Sequence, residues 1–496
     1  MDLHKPSHVV LLSSPGLGHL IPTIELAKRF LIHHNFKLTI IAITSQTSHA
    51  ESQIIKSATN PSLYTIIQIP SPNISSNLPL TARLSVTMRL AIPSIKSAIT
   101  NLTFPPSALI VDIFGTESLI LVEELNIPKF VYVASHAWFL SLLVYSPVLD
   151  KQIKTPYLEH NEPLTIPGCK PIRPVDLIDP MQNRNDLGYS EYLILANNLS
   201  KSDAVLVNTW DKLQHRELQA LNDELSDFLK APVFAIGPLV RQPESKTGQA
   251  TESLMKWLDK QPNESVVYVS FGSGGTMSYE QMKEIALGLE LSEQRFVWVV
   301  RAPKGESADA SFFTTGSSNG FDDELDEIKK HLPEGFLERI KNVGLLVQEW
   351  APQVAILKHP SIGCFISHCG WGSVLESLTN GVPLIAWPLY AEQRMNATFL
   401  VEELGVAMKT SVSLAKNVVG REEIASLVKN VILEEQNGKS NNVRDKVREI
   451  KVSAEKALCH GGSSYTALSH VANIIFKQDF ICLSKNIDTR NSIRVV

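Results

Sequence analysis

The sequence predicts an α/β protein built from two doubly wound parallel-sheet domains that face each other across a cleft. Three observations predict it. Short, almost continuously apolar runs alternate with helical patterns in both halves of the chain, as expected of parallel strands buried on both faces by crossover helices. The alternation breaks once, at GPLVRQPESKTGQATE (237–252), where Pro, Gly, Ser and charged residues replace apolar ones. The chain has 496 residues, enough for two or three domains of roughly 100–200 residues each.

In chain order, HVVLLSS (8–14) reads as a buried strand, and residues 19–34 follow with helical spacing of Leu20, Ile24, Leu26, Ala27 and Phe30. KLTIIAIT (37–44), SALIVDIF (107–114), FVYVAS (130–135) and AVLVNT (204–209) complete the strand candidates of the first half. After the break, SVVYVSF (265–271), RFVWVV (295–300), GLLVQ (344–348), IGCFIS (362–367) and VPLIAW (382–387) repeat the pattern. The segment 302–331, rich in Ser, Gly and acidic residues, reads as a long surface loop, and its FDDELDE run as a solvated face. Helical patterns fill 421–458 and 463–477, while 479–496 shows no clear period, which leaves its order open. The expected division is a first domain 1–240, a linker 241–252, a second domain 253–460, a closing helix 461–478 and a tail 479–496.

Composition removes several function classes. Hydrophobic residues at 44% and charged residues at 20% suit sizeable cores. A net charge of −5 gives no global attraction to nucleic acid or anionic membrane, so an anionic ligand needs a local site. Cys169, Cys364, Cys369, Cys459 and Cys482 are scattered and odd in number, which argues against a disulfide framework, and no CxxC pair or His/Cys cluster has metal-ligand spacing. Cys364 and Cys369 read as small buried groups. The start MDLHKPSHVVLLSSPG is unlike a signal peptide and no apolar run of about 18 residues occurs, so the expected compartment is the cytosol, with the Asn-x-Ser/Thr sites read as chance.

Four segments carry chemistry. In SSPGLGHL (13–20), Gly16 and Gly18 permit a tight strand-to-helix turn that places His19 at the carboxyl end of the first strand. A dinucleotide fingerprint would need glycine where Ile21 stands and an acidic residue where the second strand ends in Thr44, which disfavours an NAD-dependent oxidoreductase. A structural turn with a capping His remains a second reading. Asp112 ends another apolar strand at the same edge; it pairs with His19 as part of a general base, or caps the following helix. SFGSGGTMS (270–278) presents small residues between strand and helix, which favours phosphate without the Lys of a P-loop.

The fourth segment is WAPQVAILKHPSIGCFISHCGWGSVLESLTNGVPLIAWPLYAEQ (350–393). It resembles the signature box of plant secondary-product glycosyltransferases, the family 1 UDP-sugar enzymes. The resemblance extends over nearly the whole chain through IPGC (166–169), IGPL (236–239), SFGSGG (270–275) and LPEGFLER (332–339). VDIFGT, the SFGSGG loop and the 302–331 insertion look most like the hydroquinone/arbutin-synthase and monolignol glucosyltransferase branch.

The resemblance implies a GT-B fold of two Rossmann-like domains, the first binding acceptor, the second binding UDP-sugar, and the closing helix crossing back to the first. It implies that Trp350 stacks on uracil, with Gln353 and the Ala351 backbone at its edge. His368, Ser273 and the helix N-terminus at Ser373 would meet the diphosphate as an uncharged nest, with Trp371 and Gly372 in the same donor site. Glu376 would bind the ribose, and Glu392 and Gln393 the sugar, Gln393 offering both an amide donor and an acceptor. Ser373 and Glu376 also fit a capping box. Ser14 and His136 are candidates for the acceptor pocket, His136 equally for a helix cap. The implied reaction is inverting, metal-independent O-glucosylation of a small phenolic or other hydrophobic hydroxyl, with His19 as base assisted by Asp112. UDP-glucose is a substrate rather than a cofactor, and the chain is expected to be a monomer with no nucleic-acid partner and no stable membrane insertion. Acceptor choice would reside around 80–90, 136–145 and 180–195. Two positions depart from the commonest pattern: relatives usually have Asn where Gly372 stands, and often Asp where Glu392 stands, although Glu occurs in the branch named. A non-catalytic UDP-sugar-binding derivative is the rival reading, opposed by the presence of His19, Asp112 and the whole box.

Overall fold

The computed structural model describes residues 7–492 other than 46–47, 59–62, 124, 243–248, 303–308, 310–311, 313–327, 349–350, 412–417 and 434–441. Trp350, the middle of the expected linker, most of the long insertion with its acidic run, and the last four residues lie outside the described residues.

Two parallel sheets organise the chain. The first comprises β1 (His8–Ser13), β2 (Lys37–Thr44), β3 (Thr65–Pro70), β4 (Ala108–Asp112), β5 (Lys129–Val133), β6 (Ala204–Val207) and β7 (Val233–Ala235), in the order β3-β2-β1-β4-β5-β6-β7. The second comprises β8 (Val266–Ser270), β9 (Arg295–Val300), β10 (Gly344–Gln348), β11 (Ile362–Ser367), β12 (Leu384–Ala386) and β13 (Ala407–Lys409), in the order β10-β9-β8-β11-β12-β13. β1 pairs with β2 on one side and β4 on the other, and β8 pairs likewise with β9 and β11. Strand order therefore reverses beside β1 and beside β8, which opens a crevice at the carboxyl ends of both sheets.

The central strands form because their side chains are buried on both faces: Val9, Val10, Leu11 and Leu12 of β1 and Val266, Val267, Tyr268 and Val269 of β8 are at most 1% exposed. β3, β7 and β13, absent from the sequence reading, are all edge strands. The helix Gln249–Leu258 begins inside the segment read as linker.

The last helix, Ser463–Ser492, continues through the stretch in which the sequence shows no clear period. Its Leu468, Val471, Ala472 and Ile475 join Phe30 and Phe36 in the core of the first domain, and Phe476 stacks on Phe36 at 4.7 Å. The two domains also meet through side chains. Trp371 Nε1 donates to the Asn208 carbonyl at 2.7 Å, Trp210 Nε1 to Ser453 Oγ at 2.9 Å, and Arg173 pairs with Glu402 at 2.6 Å.

Candidate active site

The turn after β1 brings a histidine to the crevice. Gly16 adopts φ 101°, a conformation that favours glycine. Its N–H is held by buried Glu51 Oε1 at 2.8 Å, while Glu51 Oε2 accepts from Ser45 N at 2.7 Å. The helix Leu17–His34 starts immediately and has no side-chain cap, so His19 is not a capping residue. Instead its Nδ1 lies 2.9 Å from Asp112 Oδ2. Asp112, 1% exposed, also accepts from Ser14 Oγ at 2.5 Å and from Phe114 N at 3.1 Å. Asp112 thus both caps the 3-10 helix Ile113–Val122 and pairs with His19. Burial alone would lower the His19 pKa, but the charge and hydrogen bond of Asp112, with Glu392 adding across the crevice, raise it above the ordinary 6.5.

His19 borders a cavity of about 440 Å³ between the domains. On one side the wall is apolar: Leu80 and Leu84, Ile113 and Phe114, Phe139 and Leu143, Ile178, and Tyr192. The three segments expected to set acceptor choice each contribute, but mainly from the helices Leu80–Thr100, Ala137–Gln152 and Leu187–Asn198 rather than from loops. The insertion read as a surface loop also reaches the cavity through Phe312, so close that a Cβ on Gly16 would stand 2.6 Å from its ring.

Ser14 and His136 do not belong to this wall. Ser14 is 1% exposed, held behind Asp112 by its short hydrogen bond. His136, fully buried, is turned into the domain contact: its Nδ1 caps the helix Ala137–Gln152 and its Nε2 lies 2.8 Å from Asn396 Oδ1 of the second domain. Burial lowers its pKa to about 3, against the Asn396 hydrogen bond, which keeps the ring neutral.

The other side of the cavity comes from the second domain. The β8 turn supplies Gly272 and Ser273, and His368 follows β11. The His368 ring is wedged between two glycines: a Cβ on Gly272 would stand 2.4 Å from its Nε2, and one on Gly370 2.5 Å. Burial, then Arg301, lowers its pKa to about 4. Its Nδ1 is buried without a hydrogen-bond partner among the described residues. The helix facing the cavity is Trp371–Asn380, capped by Gly370. It begins two residues before Ser373, so Ser373 is a first-turn residue and the Ser373–Glu376 capping box does not form. Gln353 ties the region together, donating from Nε2 to Ser373 Oγ at 2.9 Å and to Glu376 Oε2 at 2.6 Å. Burial raises the Glu376 pKa to about 7, against the Gln353 hydrogen bond and the Arg241 charge. Ala351 also lines the cavity.

Two expectations about this region change. Arg301, whose guanidinium donates to the Gly272 carbonyl, and Arg241 both line the cavity, so the nest is not uncharged. Gln393 is 3% exposed and its Oε1 accepts from Leu389 N at 2.9 Å and Tyr390 N at 3.0 Å, which occupies the carbonyl and leaves only the amide N–H groups as donors. Glu392 lines the cavity opposite His19, its pKa raised by burial.

Two facing doubly wound domains, a His–Asp pair on one edge and a glycine-lined helix terminus on the other define an enzyme that brings two substrates together in one crevice. Residues 236–445 match the family model for UDP-glucoronosyl and UDP-glucosyl transferases. The chain is 51% identical over 478 residues to anthocyanidin 3-O-glucosyltransferase 5 of Manihot esculenta, covering 95% of this chain and 96% of that one. It is 40% identical to the hydroquinone glucosyltransferase of Rauvolfia serpentina, covering 95% and 97%. Among solved structures, Phytolacca americana UGT2 complexed with UDP-2-fluoro-glucose and pterostilbene matches with a TM-score of 0.82 at 36% identity, covering 95% of this chain and 100% of that one. The chain belongs to the plant family 1 UDP-glycosyltransferases and has their GT-B fold. Among the described residues, no helix is long and apolar enough to cross a membrane, and no group of three or more His, Cys, Asp or Glu side chains is placed to hold a metal ion.

Proposed function

We propose that the chain transfers glucose from UDP-glucose to the hydroxyl of a small phenolic or other hydrophobic acceptor, with inversion at the anomeric carbon. The observation that carries this reading is the 2.9 Å His19–Asp112 pair at the junction between an apolar wall and the glycine-wedged His368. Nδ1 of His19 is engaged by Asp112, so Nε2 is the atom that takes the acceptor proton. The acceptor oxygen then forms its bond to the anomeric carbon as the bond from that carbon to the diphosphate oxygen breaks. Asp112 stabilises the imidazolium, and Ser14 and Phe114 N fix Asp112. Negative charge developing on UDP is met by the N-terminus of Trp371–Asn380, Ser273, His368 and Arg301. Trp350 would stack on uracil, Glu376 would accept from the ribose hydroxyls, and Glu392 and Gln393 would face the sugar.

A panel of phenols and alcohols assayed with UDP-glucose tests this. His19→Ala should lower kcat by about 10²-fold or more, and Asp112→Ala by less. Near-wild-type turnover of a weakly acidic alcohol by His19→Ala would show that another group takes the proton. Acceptor panels should favour apolar phenols, because the wall beside His19 is built from Leu, Ile and Phe side chains.

A further inference from the structure

The turn that carries Glu392 and Gln393 is held from two sides. From within the second domain, Gln393 Oε1 binds Leu389 N and Tyr390 N. From the first domain, Asp179 binds the next residue on both backbone groups: its Oδ2 accepts from Ala391 N at 2.6 Å, and its own N–H donates to Ala391 O at 3.0 Å. Asp179 Oδ1 also accepts from Arg394, one residue beyond Gln393. Ala391 has φ 58°, a left-handed conformation that a residue with a Cβ adopts reluctantly. A conformation of this kind persists only where neighbours enforce it. Asp179 enforces it from a domain more than 200 residues away in sequence, and its chain neighbours Ile178 and Pro180 line the apolar wall of the cavity.

Asp179 differs from the other cross-domain ion pairs. Lys170–Glu403, Arg173–Glu402 and Asp176–Lys409 join side chains only. Asp179 grips the backbone of the sugar-facing turn.

We infer that Asp179 is a positioning residue for the donor sugar: by fixing Ala391 in its left-handed conformation, it sets Glu392 and Gln393, so sugar discrimination depends on a side chain of the acceptor domain. The inference rests on the reading that Glu392 and Gln393 face the sugar. It extends that reading by placing part of donor selectivity outside the donor domain.

The test compares affinities for UDP, UDP-glucose and UDP-galactose by calorimetry, with kcat/KM for the two sugars alongside. Asp179→Ala should weaken UDP-glucose about tenfold, the size expected for losing a hydrogen bond to a charged group, and erode the preference over UDP-galactose. Affinity for UDP, which lacks the sugar, should stay within about twofold. Glu402→Gln, which breaks an exposed cross-domain pair without touching the turn, should leave the preference intact. Adding Ala391→Gly to Asp179→Ala removes the Cβ from the left-handed position and should restore part of the loss; loss of a merely structural ion pair would give no such rescue. Equal weakening of UDP and UDP-glucose by Asp179→Ala, or no change in either, overturns the inference alone. A wild-type chain that does not distinguish UDP-glucose from UDP-galactose overturns the reading of Glu392 and Gln393, and the inference with it.

Discussion

By the family resemblance Gly372 stands where Asn is usual, and the structure indicates what introducing that side chain would do. The neighbouring glycines are obligatory: a Cβ on Gly272 or Gly370 would collide with the His368 ring. Gly372 is different. It has no positive φ, it is the second residue of the helix Trp371–Asn380, and among the described residues a Cβ there would meet no heavy atom within 4 Å beyond its own helix backbone and chain neighbours. Gly372→Asn therefore costs no backbone strain, and replacing glycine in a helix improves stability by a few tenths of a kcal/mol. The new side chain enters the cavity beside Ser373. One hydrogen bond from its amide to a phosphate oxygen contributes about 1.5–3 kcal/mol. Ordering the side chain offsets roughly 1 kcal/mol of that. The net gain of about 0.5–2 kcal/mol corresponds to roughly 2- to 30-fold tighter donor binding. Calorimetric Kd values for UDP and UDP-glucose, with Tm measured on the same samples, decide the matter. Tighter UDP binding at unchanged or slightly raised Tm supports a phosphate-binding amide that glycine cannot supply. Weaker binding with a lower Tm would refute the reasoning by showing that the backbone requires glycine. Unchanged UDP binding with weakened UDP-glucose would refute it differently, by showing that the sugar itself fills the space.

The base makes a prediction about pH. In the proposed mechanism neutral His19 is the active form, and its pKa is raised, so with an alkyl alcohol acceptor kcat/KM should fall as pH drops through an apparent pKa above 6.5. Asp112→Asn removes the main raising influence and leaves burial, so the acid limb should move below 6.5; an unmoved limb would mean that His19 is not the titrating base. Gln393 presents only amide donors to the cavity, and by resemblance glutamine at this place accompanies glucose, so UDP-glucose should exceed UDP-galactose in kcat/KM; equal values would contradict that assignment. Activity should survive EDTA, because in the proposed mechanism the Trp371–Asn380 N-terminus and Arg301 supply positive potential, and neutral His368 a hydrogen bond, where the diphosphate leaves; loss of activity restored by magnesium would show that these groups are insufficient.

The parts legible in the sequence share a physical cause. Central strands are buried on both faces, so β1, β8 and β11 read as apolar runs, and β2, β9 and β10 coincide with the ranges that the sequence reading assigns. Edge strands carry less of that signal, and of the four only β10, with its apolar GLLV, stands out in the sequence. In β3, TIIQIP, only Ile69 is buried, and β7 and β13 have three residues each. The signature box was legible because its residues are contiguous. Arg301, Arg241 and Phe312, which line the cavity, and Glu51, which holds the turn at Gly16 from behind it, were not, because each is brought there by the packing of segments distant in sequence, and none stands in a motif.

His19 and His136 show where reasoning from strand ends succeeds and where it stops. Both follow the carboxyl end of a first-sheet strand, β1 and β5, and both lie at the start of a helix. Position alone gives them equal claim to the crevice. Their partners separate them. β1 and β4 are hydrogen-bonded neighbours at the point where strand order reverses, so Asp112 at the end of β4 stands within reach of His19 and holds its ring at the cavity. His136 follows β5, one strand further from the reversal, and finds Asn396 of the second domain instead, with Phe399 stacked on its ring at 5.3 Å and Trp371 tilted against it at 4.8 Å. The ring that would be an acceptor ligand by position is a rivet between domains by partnership. Asn396 also donates to the Cys369 carbonyl at 2.8 Å, beside the glycine that caps the cavity-facing helix Trp371–Asn380. The same residue that holds His136 away from the apolar wall thus braces the second-domain side of the cavity, a connection set by which residues the two domains bring together rather than by any local pattern.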